Sequence, residues 1–82
     1  MILIVEDNRQ VRKMIRSFVE DFDKDVCECE DGDEAFAAFQ KHRPEWVLMD
    51  VEMAEKDGLT ATKEICAAYL QARVVIVNQL CG

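Results

Sequence analysis

The sequence predicts an α/β fold built on a parallel sheet, and three observations carry that expectation. Ile2-Leu3-Ile4-Val5 runs straight into Glu6-Asp7, and Trp46-Val47-Leu48-Met49 runs straight into Asp50. Short apolar runs of this kind are the pattern of strands covered on both faces, as parallel strands are. Between and after them lie segments whose apolar residues recur at three- and four-residue intervals, so strands and helices alternate as βαβαβαβ. That order calls for right-handed crossovers and strands that all point the same way. The chain has 82 residues and reads as one small domain over 1–82. A domain of this size buries only about 60–65% of its unfolded surface.

Ile2 to Val5 is expected to be the first strand, and Asn8 is an N-cap candidate for the helix after it. Val11, Met14, Ile15, Phe18, Val19 and Phe22 give that helix an apolar stripe. Arg9, Arg12, Lys13, Arg16 and Glu20 fill the opposite side, which is expected to be solvated. Val26 to Glu30 alternates apolar and polar residues, as an edge strand does, and puts Cys27 and Cys29 on one face. Asp31 or Asp33 can cap a second helix with Ala35, Phe36, Ala38 and Phe39 on its core side. That helix ends near His42, because Pro44 cannot continue it. Trp46 to Asp50 is the third strand, Met53 to Asp57 a loop, and Gly58 the turn into a third helix over about Leu59 to Leu70. Its expected inner stripe is Leu59, Thr62, Cys66 and Tyr69. Arg73 to Val77 is a fourth strand.

If the first and third strands are neighbours, Glu6, Asp7 and Asp50 converge at their carboxyl ends, where open α/β sheets bind ligands. Three clustered carboxylates repel one another and require a cation. Oxygen donors without a nearby histidine point to Mg²⁺ rather than zinc. A net charge of −7 argues against direct nucleic-acid binding, which needs basic patches. No apolar run reaches the roughly 20 residues that span a membrane, and no secretory pattern precedes the first strand. The four cysteines, Cys27, Cys29, Cys66 and Cys81, read as structural thiols rather than disulfides or a zinc site. Cys81 is the one expected to be exposed. His42 reads as a surface histidine at a helix end.

Ile2-Leu3-Ile4-Val5-Glu6-Asp7-Asn8 and Val47-Leu48-Met49-Asp50-Val51-Glu52-Met53, followed by Asp57-Gly58, resemble the receiver (CheY-like) domain of two-component response regulators. Asp31-Gly32-Asp33-Glu34-Ala35 resembles that family's turn into its second helix. The resemblance implies a doubly wound, flavodoxin-like parallel sheet of order 2-1-3-4, with the first helix on one face and the other two opposite. It covers nearly all of this chain but only the front part of the family's domain, whose fifth strand and last two helices have no counterpart here. It further implies that Asp50 accepts a phosphoryl group from a histidine kinase or phosphotransfer protein. Glu6 and Asp7 would hold Mg²⁺ with Asp50, and the backbone carbonyl of Glu52 would complete the metal's shell. The module would be cytoplasmic and a signalling domain rather than an enzyme.

This chain departs from the family pattern at three places. Ala54 stands where a proline is usual, and Asn78 stands where a threonine or serine normally contacts the phosphoryl oxygens. An amide can donate a hydrogen bond there. The lysine at the end of the fifth strand has no counterpart. Metal binding is therefore expected to survive better than phosphorylation, and phosphorylation better than switching. Two other readings stand beside this one: a non-phosphorylated interaction or dimerisation module, and a haloacid-dehalogenase-like phosphatase. The latter wants an aspartate where Glu52 stands. An uncovered sheet face and an open edge beside Val74, Val75, Ile76 and Val77 lead to the expectation of a homodimer.

Overall fold

The computed structural model describes residues 1–50 and 58–77. Seven elements follow one another: β1 (Ile2–Val5), α1 (Arg9–Val19), β2 (Val26–Cys29), α2 (Gly32–His42), β3 (Trp46–Asp50), α3 (Gly58–Ala68) and β4 (Val74–Val77). The sheet is parallel throughout, in the order β2-β1-β3-β4. Val5 pairs with Cys29 on one side and Met49 on the other, and Asp50 pairs with Val77.

Alternation along the strands divides the apolar residues between two faces. Leu3, Val5, Cys29, Val47 and Met49 share one face. They form the core with Ala35 and Phe39 of α2 and Ala61 and Ile65 of α3. All of these are buried, and Cys27, Phe36, Ala38 and Tyr69 pack against them half-buried. The Phe39 and Tyr69 rings stand 5.0 Å apart, and the Arg43 guanidinium lies 4.3 Å from the Tyr69 ring centre. Arg43 ends α2 in the left-handed region, at φ 48°. That conformation costs a non-glycine residue about 1 kcal/mol. Its N–H donates to the Phe39 carbonyl at 2.8 Å, and Pro44 then prevents another helical turn. Asp31 is the residue that caps α2, accepting from the Glu34 N–H at 2.9 Å.

The other face carries α1, and here the structure corrects the expected apolar stripe. No residue of α1 is fully buried. Val11, Ile15 and Val19 are half-buried, whereas Met14, Phe18 and Phe22 are exposed, Phe18 by 68% and Phe22 by 86%. The reason is geometric. A helix about 10 Å across covers about two strands spaced about 4.8 Å apart, and α1 packs on β1 and β2. Trp46 of β3 and Val75 of β4 accordingly remain partly open, with the Arg73 guanidinium 5.4 Å from the Trp46 ring centre.

A second correction concerns α3. Its buried residues are Gly58, Ala61 and Ile65, not Leu59 and Cys66, both of which are exposed. The inward face lies one position earlier than expected, because the small residues Gly58 and Ala61 let the helix approach the sheet closely. Thr62 and Tyr69 are half-buried, as a flank of that face. The Met53–Asp57 loop, Glu52, Ala54, Asn78 and Cys81 lie outside the described residues. No helix among the described residues is long and apolar enough to cross a membrane.

Candidate functional site

The strand ends bring together the carboxylates that the sequence singled out. Glu6 follows β1, and its N–H donates to the Cys29 carbonyl at 3.1 Å, carrying the β1–β2 ladder one residue further. Asp50 is the last residue of β3, the neighbour of β1 on its other side. Because Val5 and Met49 are partners in parallel strands, the next residue of each, Glu6 and Asp50, emerges at the same level. Asp7 comes one residue later, as the chain turns toward α1. Each of the three offers a carboxylate oxygen, and these oxygens lie within 4.8 Å of one another. Glu6 and Asp50 are buried and Asp7 is exposed.

The turn after Glu6 is held by several hydrogen bonds. Asn8 caps α1, its side-chain oxygen accepting from the Gln10 and Val11 N–H groups at 2.9 and 3.1 Å. The Asn8 N–H in turn donates to Glu6 Oε2 at 3.0 Å. The Arg12 guanidinium reaches back from α1 to the Glu6 carbonyl at 2.8 Å.

Electrostatics makes the site one that wants a cation. Burial pushes the Glu6 carboxyl up to about 7, and Asp7 and Asp50 add to that, while the Asn8 N–H opposes it. Near neutral pH the cluster thus holds a proton that a solvated glutamate would have lost. A divalent cation would offset the shift by favouring the deprotonated carboxylates, and the hard oxygen donors on a partly open cluster suit Mg²⁺. The nearby Cys29 thiol is a contrast. Burial pushes it up to about 12, with Glu34 adding to the shift, so it is a neutral, unreactive thiol. Cys27, Cys29 and Cys66 are free, and His42 is exposed at the end of α2.

The family model for the response regulator receiver domain matches residues 2–79. The chain belongs to that family. The receiver domain is 39% identical over 80 residues to the chemotaxis protein CheY of Bacillus subtilis (strain 168), a match covering 96% of this chain and 67% of that protein. It is also 39% identical over 81 residues to a protein-glutamate methylesterase/protein-glutamine glutaminase of Pyrococcus horikoshii, of which it spans only 22%. Among solved structures, the response regulator TrrA of Thermotoga maritima in complex with Mg²⁺–BeF superposes with a TM-score of 0.89 at 25% identity. That match covers 94% of this chain and 67% of the other. CheY in the CheX–CheY–BeF3–Mg complex of Borrelia burgdorferi gives a TM-score of 0.87 at 27% identity, over 96% of this chain and 61% of that one. The receiver domain thus spans about two thirds of the CheY-like proteins it matches, and the 2-1-3-4 parallel sheet is the fold they share.

The acid pocket of Glu6, Asp7 and Asp50 suits Mg²⁺ and phosphoryl acceptance. Arg12 is the residue whose part the sequence reading missed. Its side chain, expected on the solvated face, is only 11% exposed and pairs with Glu28 at 2.9 Å. The signal was Glu28 itself: in Val26-Cys27-Glu28-Cys29 the alternation turns this carboxylate toward α1, where it needs a cation.

Proposed function

We propose that this receiver domain is a phosphoacceptor module of a two-component phosphorelay, taking a phosphoryl group on Asp50 with Mg²⁺. The observation that carries the reading is the convergence of three carboxylate oxygens within 4.8 Å at the ends of adjacent parallel strands. The Mg²⁺–BeF and BeF3–Mg neighbours add support, since their folds carry such groups. Glu6, Asp7 and Asp50 would hold the metal, with the Glu52 carbonyl as a further ligand. Bound there, Mg²⁺ supplies positive charge against the incoming phosphoryl oxygens.

The remaining chemistry belongs to the chain. Asp50 is an oxygen nucleophile fixed at a strand end, and one of its oxygens attacks the phosphorus of a phosphohistidine on a histidine kinase or phosphotransfer protein. The new O–P bond forms as the P–N bond breaks, and the departing imidazole keeps that electron pair. Glu6 and Asp7 take no part in bond making; their charge fixes where the cation sits. Asn78 aligns with the family's threonine or serine position, and by that resemblance its amide would donate to the phosphoryl oxygens. The module is a cytoplasmic signalling domain rather than an enzyme, and its acidic charge of −7 disfavours direct contact with nucleic acid.

Beryllofluoride, a phosphoryl mimic, tests the proposal. Bound fluorine resonances in ¹⁹F NMR should require Mg²⁺ and vanish in Asp50→Asn. Binding without Mg²⁺, or undiminished binding by Asp50→Asn, would refute it.

A homodimer belongs to the same proposal. Met14 and Phe18 of α1 are exposed, as are Val75 and Ile76 of β4, which is an edge strand among the described residues. Packing of the open face on the α1 side against a second copy would cover Val75, and edge pairing of β4 would satisfy that strand's backbone, with Ile76 turned to the opposite face. Sedimentation should show a concentration-dependent dimer, and a monomer at all concentrations would remove this part of the reading.

A further inference from the structure

The Arg12 side chain joins three parts of the molecule. It leaves the first turns of α1, its Nε donates to Glu28 Oε1 of β2 at 2.9 Å, and its Nη1 donates to the Glu6 carbonyl at 2.8 Å. Nη2 lies 3.8 Å from the Glu30 carboxylate. Arg16 completes the arrangement by pairing with the other Glu28 oxygen and with Glu20.

The Glu6 carbonyl is not an arbitrary acceptor. It belongs to the peptide group that joins Glu6 to Asp7, so its direction sets the plane from which the Asp7 side chain departs. Glu6 and Asp50 are buried and held by packing, whereas Asp7 is exposed. Packing does not fix the Asp7 carboxylate, so its direction follows from the backbone that carries it together with its side-chain hydrogen bond to Glu6. The Glu6 N–H is fixed on Cys29 and the Glu6 carboxylate accepts from Asn8. Arg12 fixes the remaining polar group, the carbonyl. A planar guanidinium can hold a carboxylate and a carbonyl at once with a set angle between them, which an ammonium cannot. Its charge is already engaged by Glu28, so its effect on the acids runs through geometry.

We infer that Arg12 is a positioning residue for the metal site, orienting the Glu6–Asp7 peptide so that Asp7 faces the same cation as Glu6 and Asp50. This rests on the metal reading above and adds to it a residue that touches neither metal nor phosphoryl group. Removing outer partners that orient ligands typically weakens metal affinity by about 10–100-fold.

The test is Mg²⁺ titration by calorimetry on the parent chain, Arg12→Ala, Arg12→Lys and Arg16→Ala, each shown to be folded by circular dichroism. Arg16 shares Glu28 with Arg12 but has no contact with the Glu6 carbonyl, so its loss controls for general weakening of α1 on β2. Arg12→Ala should bind Mg²⁺ about tenfold more weakly, Arg12→Lys should fall between, and Arg16→Ala should stay within about twofold of the parent. Should Arg12→Ala not fold, the contrast between Arg12→Lys and Arg16→Ala decides. Equal affinity in the Arg12 variants and the parent, or equal loss in the Arg12 and Arg16 variants, would overturn the inference while leaving the metal site standing. A parent that takes up no Mg²⁺ would overturn the metal reading and this inference with it.

Discussion

Mg²⁺ binding should expel a proton from Glu6, and the structure sets the size of the effect. The metal-free Glu6 carboxyl sits at about 7 rather than the ordinary 4.5, chiefly because it is buried, with Asp7 and Asp50 adding to the shift. Mg²⁺ requires the carboxylate, so apparent affinity falls as the proton competes. With a single site titrating near 7, about nine-tenths of a proton leaves on binding at pH 6 and about one-tenth at pH 8. The apparent Kd is then about tenfold weaker at pH 6 than at pH 8. Calorimetry in buffers of differing ionisation enthalpy reads the proton count directly, and Glu6→Gln should bind Mg²⁺ weakly without the linkage. The same shift governs stability. A carboxyl raised in the fold stabilises it fully below about 4.5, and that stability is lost as pH rises through about 7. Metal-free stability should therefore fall by up to about 3 kcal/mol across that window, and Mg²⁺ should restore it. Equal Kd at pH 6 and pH 8 with no proton release would refute this reasoning.

Other substitutions test separate parts of the structure. Asp50→Asn removes one of the charges facing Glu6 and should raise metal-free stability at pH 8 by about 1 kcal/mol, read by urea unfolding. Leu3→Ala, in the buried core, should cost about 2–5 kcal/mol, whereas Phe22→Ala, at 86% exposure, should change stability by less than about 0.5 kcal/mol. A large loss for Phe22→Ala would mean that this ring is covered in solution. Asn8→Ala removes the acceptor for two N–H groups of α1 and should cost about 1 kcal/mol, measured by thermal unfolding.

The strands and the acid cluster were legible because their signals are local. Ile2–Val5 and Trp46–Met49 are apolar on both faces, and the carboxylates follow them directly. The parallel order then brings Glu6 and Asp50 to one level without further information. What could not be read is how much cover each helix receives. Phe18 carries the periodicity of a core residue, yet its burial depends on what lies opposite α1, which periodicity does not encode. In α3 the expected core stripe is Leu59, Thr62, Cys66 and Tyr69. The small Gly58 and Ala61 face inward instead, because close approach to the sheet favours them. Arg12 was misread for a related reason: a basic residue on a helix suggests solvent, and only its tertiary partners Glu28 and the Glu6 carbonyl show otherwise.

The central claim is that Asp50 is a metal-dependent phosphoacceptor. Its most direct test is intact mass spectrometry after incubation with Mg²⁺ and a small-molecule phosphodonor, beside Asp50→Asn and a Mg²⁺-free control. The account predicts a single phosphate adduct that requires both Mg²⁺ and Asp50. A folded chain that takes up no phosphate, or one whose Asp50→Asn variant is phosphorylated to the same extent, would contradict it.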